Sequence, residues 1–210
     1  MISAFWRNGF PRGSAAAVLV VFAIATTGAH EVTGTPTPGV PSVYAPYEFL
    51  IGAWDVAPAS GGKPFAVSYF KWGPNKSYIW YSTSSFDQAG NEVPHFEGIL
   101  AYNGVRKNLD MLVELALGGS IPGSIDETGT VSVQADGTVL RDITATYAEG
   151  ALPRRSEKAG PNGWTGHYHH TFRADGRDRV LMSLTMETDR GWVPTFPGSD
   201  QVVMTRRSAP

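Results

Sequence analysis

The sequence has no cysteine and little charge, and neither sign of charge is in strong excess. Its 210 residues are 17% charged and carry a formal net charge of -2. Without cysteine, a disulfide scaffold and a thiolate metal site are both excluded. The charge balance also lacks the basic excess with which nucleic-acid-binding proteins neutralise phosphates. We therefore predict no nucleic-acid partner.

The composition also argues against a helical protein. The chain holds 24 glycines and 15 prolines, together 39 residues that disfavour helix interiors. At the same time 42% of the residues are hydrophobic, which is enough apolar surface to fold a single domain. We therefore expect most glycines and prolines to lie in turns between short strands.

Long hydrophobic runs are absent except for eleven apolar or small residues at positions 15–25. As a helix this run would span about 16 Å, about half of the ~30 Å hydrocarbon core of a membrane. Arginines precede it and small residues follow it, which is the order found in a secretory signal peptide. We predict a signal peptide over 1–29, a Pro/Gly-rich linker over 30–46 and a folded domain over 47–207. The mature chain should have no membrane span and should be periplasmic or secreted.

From position 47 onward the dominant hydrophobic period is two, which is typical of strands. Asp136-Gly137 and Asp175-Gly176 each predict a tight hairpin turn. Longer connections are expected at 116–128, 148–162 and 189–199. The pattern predicts an all-β, antiparallel up-and-down β-barrel of about 8 to 10 strands, because closure removes the unpaired edges of an open sheet. The predicted strands are 53–57, 64–72, 77–86, 95–103, 108–115, 130–135, 138–147, 164–173, 179–188 and 201–207.

Two short motifs carry a family resemblance. Gly52-Ala53-Trp54 follows a short helical pattern at the start of the first strand, and Arg206-Arg207 stands at the end of the last strand. This layout resembles lipocalin-like proteins of the calycin type, and in particular exported bacterial proteins with such a barrel whose function is not known. The resemblance implies that one of the two arginines packs over Trp54 and closes one end of the barrel. The sequence leaves open which arginine does so.

The aromatic content of neighbouring predicted strands indicates a cavity lined by rings. We predict that the barrel holds a small apolar or amphipathic molecule there, with Tyr78, Trp80, Arg141 and His170 as ligand-binding residues. Arg141 could face inward as an isolated cation that anchors an acidic ligand. Equally, Leu140 could be the inward residue and Arg141 exposed to solvent.

The histidine-rich segment 167–170 allows further roles. His170 could be a buried hydrogen-bonded imidazole, which is the favoured interpretation, a haem or metal ligand as in nitrobindin-like barrels, or a general base. An isomerase or hydrolase that uses His170 with a carboxylate such as Glu97 is therefore an alternative function, as is a haem- or metal-binding barrel. No known catalytic motif is present, so the sequence leaves open both enzymatic activity and the identity of any cofactor.

The other two histidines of this segment lie on the opposite face. His167 and His169 project to one side of the predicted strand, where a third ligand such as His95 or Glu97 would complete a metal site. Their neighbours on that face, Thr165 and Thr171, are polar. A solvent-exposed strip is the favoured interpretation, so we assign no metal-ligating residue, and the sequence leaves open whether His167 and His169 bind a metal.

Overall fold

A computed structural model describes residues 41–115, 123–147 and 164–208. The predicted signal peptide and the predicted connection 148–162 lie outside the described residues. These described ranges contain two 3-10 helical segments, Ser42–Leu50 and Pro74–Lys76. The strands are β1 (Gly52–Pro58), β2 (Ala66–Trp72), β3 (Tyr78–Phe86), β4 (Glu92–Asn103), β5 (Asn108–Leu115), β6 (Gly123–Val133), β7 (Val139–Tyr147), β8 (Trp164–Ala174), β9 (Arg179–Thr188), β10 (Gly191–Pro194) and β11 (Val202–Arg206).

The strands form one closed antiparallel barrel, which confirms the predicted fold. Strands β1 to β9 pair in chain order, β9 pairs with β11, and β11 returns to β1. The ring therefore has ten strands. The short strand β10 lies outside it and pairs with the second half of β9 only. Among the described residues, no helix is both long and apolar enough to cross a membrane.

The turns follow the sequence prediction closely. The Gln134 N–H donates to the Thr138 carbonyl at 2.8 Å across the Asp136-Gly137 turn. Gly137 and Gly176 have φ angles of 81° and 82°, in the left-handed region that glycine adopts without strain. Both Asp-Gly hairpins are thus confirmed.

Three elements lie partly or wholly inside segments that the sequence predicted to be connections or a linker. Strand β6 begins at Gly123, inside the predicted connection 116–128, and β10 lies inside the predicted connection 189–199. The predicted linker 30–46 also overlaps the helical segment, which begins at Ser42. In each case glycine, proline and small polar residues obscured the pattern, and the element is stabilised by pairing or packing rather than by local propensity.

The segment Ser42–Leu50 covers one end of the barrel. Its Tyr44, Tyr47 and Leu50 are buried with the inward side chains of the strands. The Tyr44 hydroxyl donates to the Ser77 carbonyl at 2.7 Å and accepts the Tyr102 N–H at 2.9 Å. Hydrogen bonds to both β4 and the turn before β3 therefore hold this segment against the barrel.

Arg206 is the arginine that packs over Trp54. Its guanidinium lies 4.2 Å from the ring centroid of Trp54, which is fully buried. The same guanidinium donates to the carbonyls of Ile51 at 3.0 Å and Phe49 at 3.2 Å. The Trp54 indole N–H donates to the Leu50 carbonyl at 2.6 Å. The cation–π contact and three hydrogen bonds thus join the last strand, the first strand and the covering segment.

Arg207 points to the outside of the barrel. It forms ion pairs with Asp55 at 3.1 Å and with Glu92 at 2.5 Å. All three side chains are about one third exposed, so water screens these pairs.

The two adjacent arginines give a matched test of barrel closure. Arg206→Met should lower the free energy of unfolding by about 2–3 kcal/mol, because it removes the cation–π contact with the buried Trp54 ring and two bonds to part-buried carbonyls. Arg207→Met should cost less than about 1 kcal/mol, because its ion pairs are exposed. Urea denaturation of both variants measures the difference, and equal losses would contradict the role assigned to Arg206.

Candidate functional site

The structure separates the four residues that the sequence grouped as ligand-binding. Arg141 on β7 and His170 on β8 are direct cross-strand partners and both point into the barrel. Tyr78 and Trp80 flank the inward, buried Ile79 on β3 and therefore point outward. On the outer face the Trp80 indole N–H donates to Glu97 at 2.5 Å. Only Arg141 and His170 can contribute to an interior site.

Arg141 is inward and buried, with 3% of its side chain exposed. This decides between the two orientations that the sequence allowed. It is not an isolated cation, because its Nη1 donates to Glu127 of β6 at 2.5 Å. The Glu127 side chain is 19% exposed and faces the interior beside Met111. The ion pair leaves the interior electrically neutral at this point.

His170 is neutral in the folded protein. Burial, with a smaller contribution from the Arg141 charge, lowers the pKa of His170 to about 3. Its ring lies 4.3 Å from the centroid of Phe172. Its Nε2 is buried and has no hydrogen-bond partner among the described residues.

Tyr47 brings a second unpartnered group to the same region. Its ring packs on Phe172 with centroids 6.5 Å apart, and within the described ranges its buried hydroxyl has no hydrogen-bond partner. Burial raises the pKa of Tyr47 to about 12, with opposing effects from Arg141 and Glu127, so the hydroxyl is protonated. The Nε of Arg141 is unpartnered in the same sense. Tyr47, Arg141 and His170 therefore each present one unused hydrogen-bonding atom in the interior.

The barrel wall next to this region is aromatic. Tyr81 stacks on Phe70 with centroids 4.7 Å apart and contacts Phe96 at 5.5 Å. The Thr83 and Tyr81 hydroxyls lie 2.9 Å apart, and Thr83 is also 2.9 Å from the Ser68 hydroxyl. The inward wall is therefore apolar with a small satisfied polar chain. Several apolar side chains on inward positions are only half-buried: Tyr81, Phe96, Val131, Met182, Leu184 and Met186.

The pairing of His170 with Glu97 in the enzyme alternative does not fit the structure. Glu97 lies on the outer face, across the sheet from the buried imidazole. Near His170 the interior carboxylate is Glu127, which is already engaged by Arg141. The geometry therefore does not support general-base catalysis by a His170–Glu97 pair.

A separate depression of about 270 Å³ lies elsewhere, where β8, β9 and β11 meet the turn before β7. Thr171, Arg173 and Ser183 contribute to its lining. It includes none of the predicted site residues. Thr171 and Ser183 satisfy each other by a 2.6 Å hydrogen bond, so the depression has no unpartnered group from this pair to recognise a ligand.

No protein-family model matches the chain, and no match was found among the curated proteins. The ten-strand closed barrel is consistent with a lipocalin-like barrel. The class of protein therefore rests on the fold itself.

Sequence reasoning missed Glu127 and Tyr47. Glu127 falls in the half of β6 that was assigned to a connection, although Ile125, Glu127 and Gly129 alternate with polar residues as one strand face does. Tyr47 belongs to the covering segment, whose contacts join residues far apart in the chain. The alternation around Glu127 was available in the sequence, but nothing local indicated that Tyr47 would reach the interior.

His170 and His167 predict opposite effects of pH on stability. Folding lowers the pKa of His170. Below pH 6.5 the imidazole therefore binds a proton in the unfolded chain but stays neutral in the native protein. This destabilises the native protein by about 1.4 kcal/mol between pH 7.5 and 5.5. His170→Gln should therefore lose less stability than the parent protein over that interval. Urea denaturation at both pH values measures it, and an unchanged dependence would contradict a buried neutral imidazole.

His167 is the matched comparison. Hydrogen bonds to the carboxylates of Glu187 and Asp142 raise the pKa of His167, so its stabilising contribution is complete below pH 6.5 and disappears as the pH rises through the higher folded value. His167→Gln should therefore lose more stability than the parent over the same fall in pH. A shift of the same sign in both variants would be inconsistent with these environments.

The Arg141–Glu127 pair can be tested by a double-mutant cycle. Arg141→Met leaves Glu127 unpaired in the barrel and should cost about 3 kcal/mol, the lower end for a broken buried pair, because water partly reaches Glu127. Adding Glu127→Leu should restore much of that loss, since no charge then remains inside. Chemical denaturation at pH 7 measures each step. A double variant less stable than Arg141→Met would count against the pair.

Proposed function

We propose that the protein is a carrier that binds a small amphipathic or apolar molecule inside the barrel. The polar end of the ligand would meet His170, Tyr47 and Arg141, and its apolar part would lie against the aromatic wall around Tyr81. This retains the function expected from the sequence but replaces Tyr78 and Trp80 with Tyr47 and Tyr81.

The observation that carries the proposal is the set of three unpartnered polar atoms in an interior whose other polar side chains are satisfied by one another. Leaving a buried donor or acceptor without a partner costs about 1–3 kcal/mol per group. Tyr47 Oη, Arg141 Nε and His170 Nε2 each have this status among the described residues. A ligand that hydrogen-bonds to these atoms would recover that free energy on binding. The half-buried state of inward apolar side chains supports accessible space beside them.

The charges of the site favour a neutral polar group on the ligand. Arg141 is already neutralised by Glu127, and His170 is uncharged. A carboxylate would be desolvated without gaining a free cation, and it would approach Glu127. A hydroxyl, carbonyl or amide could exchange hydrogen bonds with His170 and Tyr47 at lower cost. We therefore favour alcohols, ketones or amides over fatty acids, in contrast to the acidic ligand that an isolated Arg141 would have favoured.

The same proposal includes export of the protein and a relationship to calycin-type barrels. The charged, apolar and small-residue order of positions 1–29 supports a periplasmic or secreted protein. Arg206 over Trp54, beside Gly52, supports a relationship to the calycin-type barrels of exported bacterial proteins. A soluble carrier of poorly soluble molecules suits that compartment.

Fluorescence titration with N-phenyl-1-naphthylamine, a neutral apolar probe, tests binding. We expect saturable enhancement with the purified protein, and displacement by long-chain alcohols at lower concentrations than by carboxylates of equal length. Leu184→Trp, which fills an inward position, should weaken binding at least tenfold. The matched control Leu112→Trp lies on the outer face, where Leu112 is 54% exposed, and should bind normally.

Circular dichroism must first show that both Leu→Trp variants are folded. The binding results then distinguish an interior site from binding elsewhere on the protein. Absence of saturable binding to the parent protein, or equal binding by the two Leu→Trp variants, would refute an interior site. Preferential displacement by carboxylates would refute the neutral-group preference. His170→Leu and Tyr47→Phe should weaken displacement by alcohols while leaving the affinity for the apolar probe nearly unchanged.

A further inference from the structure

A cluster of titratable side chains lies on the outer face of β7, β8 and β9, on the opposite side of the wall from His170. It consists of Asp142, His167, His169 and Glu187, with Trp192 of β10 beside them. The barrel interior does not use any of these residues. The cluster is therefore independent of the proposed carrier function.

Three of these side chains are placed to share one ion. The nearest ligand atoms of Asp142, His167 and His169 all lie within 4.8 Å of one another. His167 Nε2 is 2.5 Å from one oxygen of Asp142, and His169 Nε2 is 4.0 Å from the other. Ligands of a tetrahedral zinc ion are about 3.3 Å apart, as follows from bonds of about 2.0–2.1 Å. The observed separations bracket that value, so small side-chain rotations would close the site.

Contacts with neighbouring side chains orient the rings of both His167 and His169. The Nδ1 of His167 lies 2.8 Å from Glu187, which leaves Nε2 directed at Asp142. A carboxylate on the second ring nitrogen is the usual way in which a metal-ligating histidine is oriented. Trp192 stacks on His169 with centroids 3.5 Å apart and an interplanar angle of 14°. The short strand β10 thus brings a ring that fixes the second imidazole.

The charge of the cluster also fits a dication. Asp142 and Glu187 contribute two carboxylates, and in the described part of the chain their ion pairs are with histidines alone. No lysine or arginine among those residues neutralises them. A divalent ion in place of the proton between His167 and Asp142 would balance both carboxylates.

We propose that Asp142, His167 and His169 form a surface site for a divalent transition-metal ion of the zinc type, with Glu187 as the outer partner of His167. Two imidazoles and one carboxylate suit zinc, cobalt or nickel and are poor ligands for magnesium. Three protein ligands leave a fourth position for water or another molecule. This revises the expectation of a solvent-exposed strip, since the polar face holds an ordered set of ligands.

Metal titration of the purified protein, freed of its affinity tag, tests the site. Calorimetry with ZnCl₂ should show one bound ion per chain, and CoCl₂ should give the visible absorption bands of a low-symmetry, four- or five-coordinate centre. MgCl₂ at the same concentration should give neither binding heat nor competition. Bound zinc should also raise the melting temperature.

Variants identify the ligands. His169→Gln and Asp142→Asn should each abolish the cobalt bands and weaken zinc binding more than 100-fold, while Glu187→Gln should weaken it about 10- to 100-fold. His95→Gln removes a histidine from β4, away from the cluster, and should bind zinc as the parent does. All four positions are at least partly exposed, so the variants should remain folded.

Three results would overturn the proposal. These are no zinc binding by the parent, undiminished binding by both His169→Gln and Asp142→Asn, or equal binding of magnesium. The first would identify the cluster as a protonated His167 bridging two carboxylates. The last would identify it as a patch of nonspecific negative charge.

Discussion

The pairing of β11 with β1 joins the two ends of the meander, so every strand of the ring has a neighbour on both sides. Arg206 reinforces this junction, because it lies on β11, covers Trp54 of β1 and bonds to carbonyls of the covering segment. The pairing also fixes which residues face inward, since the side-chain period of each strand is two. The inward polar residues and the outer cluster of histidines and carboxylates are both consequences of that assignment.

The interior contains two kinds of polar group, a compensated ion pair and neutral side chains that lack a hydrogen-bond partner among the described residues. The Arg141–Glu127 pair is internally compensated, so it adds hydrogen-bonding capacity without net charge. His170 and Tyr47 remain neutral through burial, and each leaves one atom unused. If the barrel binds a ligand as we propose, such an interior would discriminate between ligands by hydrogen-bond geometry and not by charge. It would also limit how many polar groups that ligand could carry inside without loss.

Local pattern in the sequence was sufficient for most of the barrel. Asp-Gly turns and period-two alternation predicted the closed meander, whereas the role of a terminal arginine was implied by the family resemblance that the Gly52-Ala53-Trp54 motif carries. The choice between Arg206 and Arg207 depends on the register of β11 against β1, which one sequence does not encode locally. Tyr78 and Trp80 failed as interior residues for a related reason. Both faces of β3 are aromatic, so composition alone does not identify the inward one.

Residues joined only by tertiary contact were beyond local reasoning. Glu127 meets Arg141 across a hairpin whose first strand begins with glycine, serine and acidic residues, which are uncommon in strands. Trp192 reaches His169 through a four-residue strand that sequence assigned to a loop. These contacts depend on strand pairing, and pairing depends on the whole barrel. The histidines themselves were visible, and so was their division between two faces.

The side chains in the central part of β8 also favour one register of this strand against its neighbours. Tyr168, His170 and Phe172 face inward, whereas His167 and His169 face solvent. A slip of one residue along β7 or β9 would exchange the two sets, moving two imidazoles into the apolar interior and two large rings into water. Each misaligned pairing would thus be penalised on both surfaces of the wall at once. The alternation of side chains in the histidine-rich segment therefore favours a single register of β8 against β7 and β9.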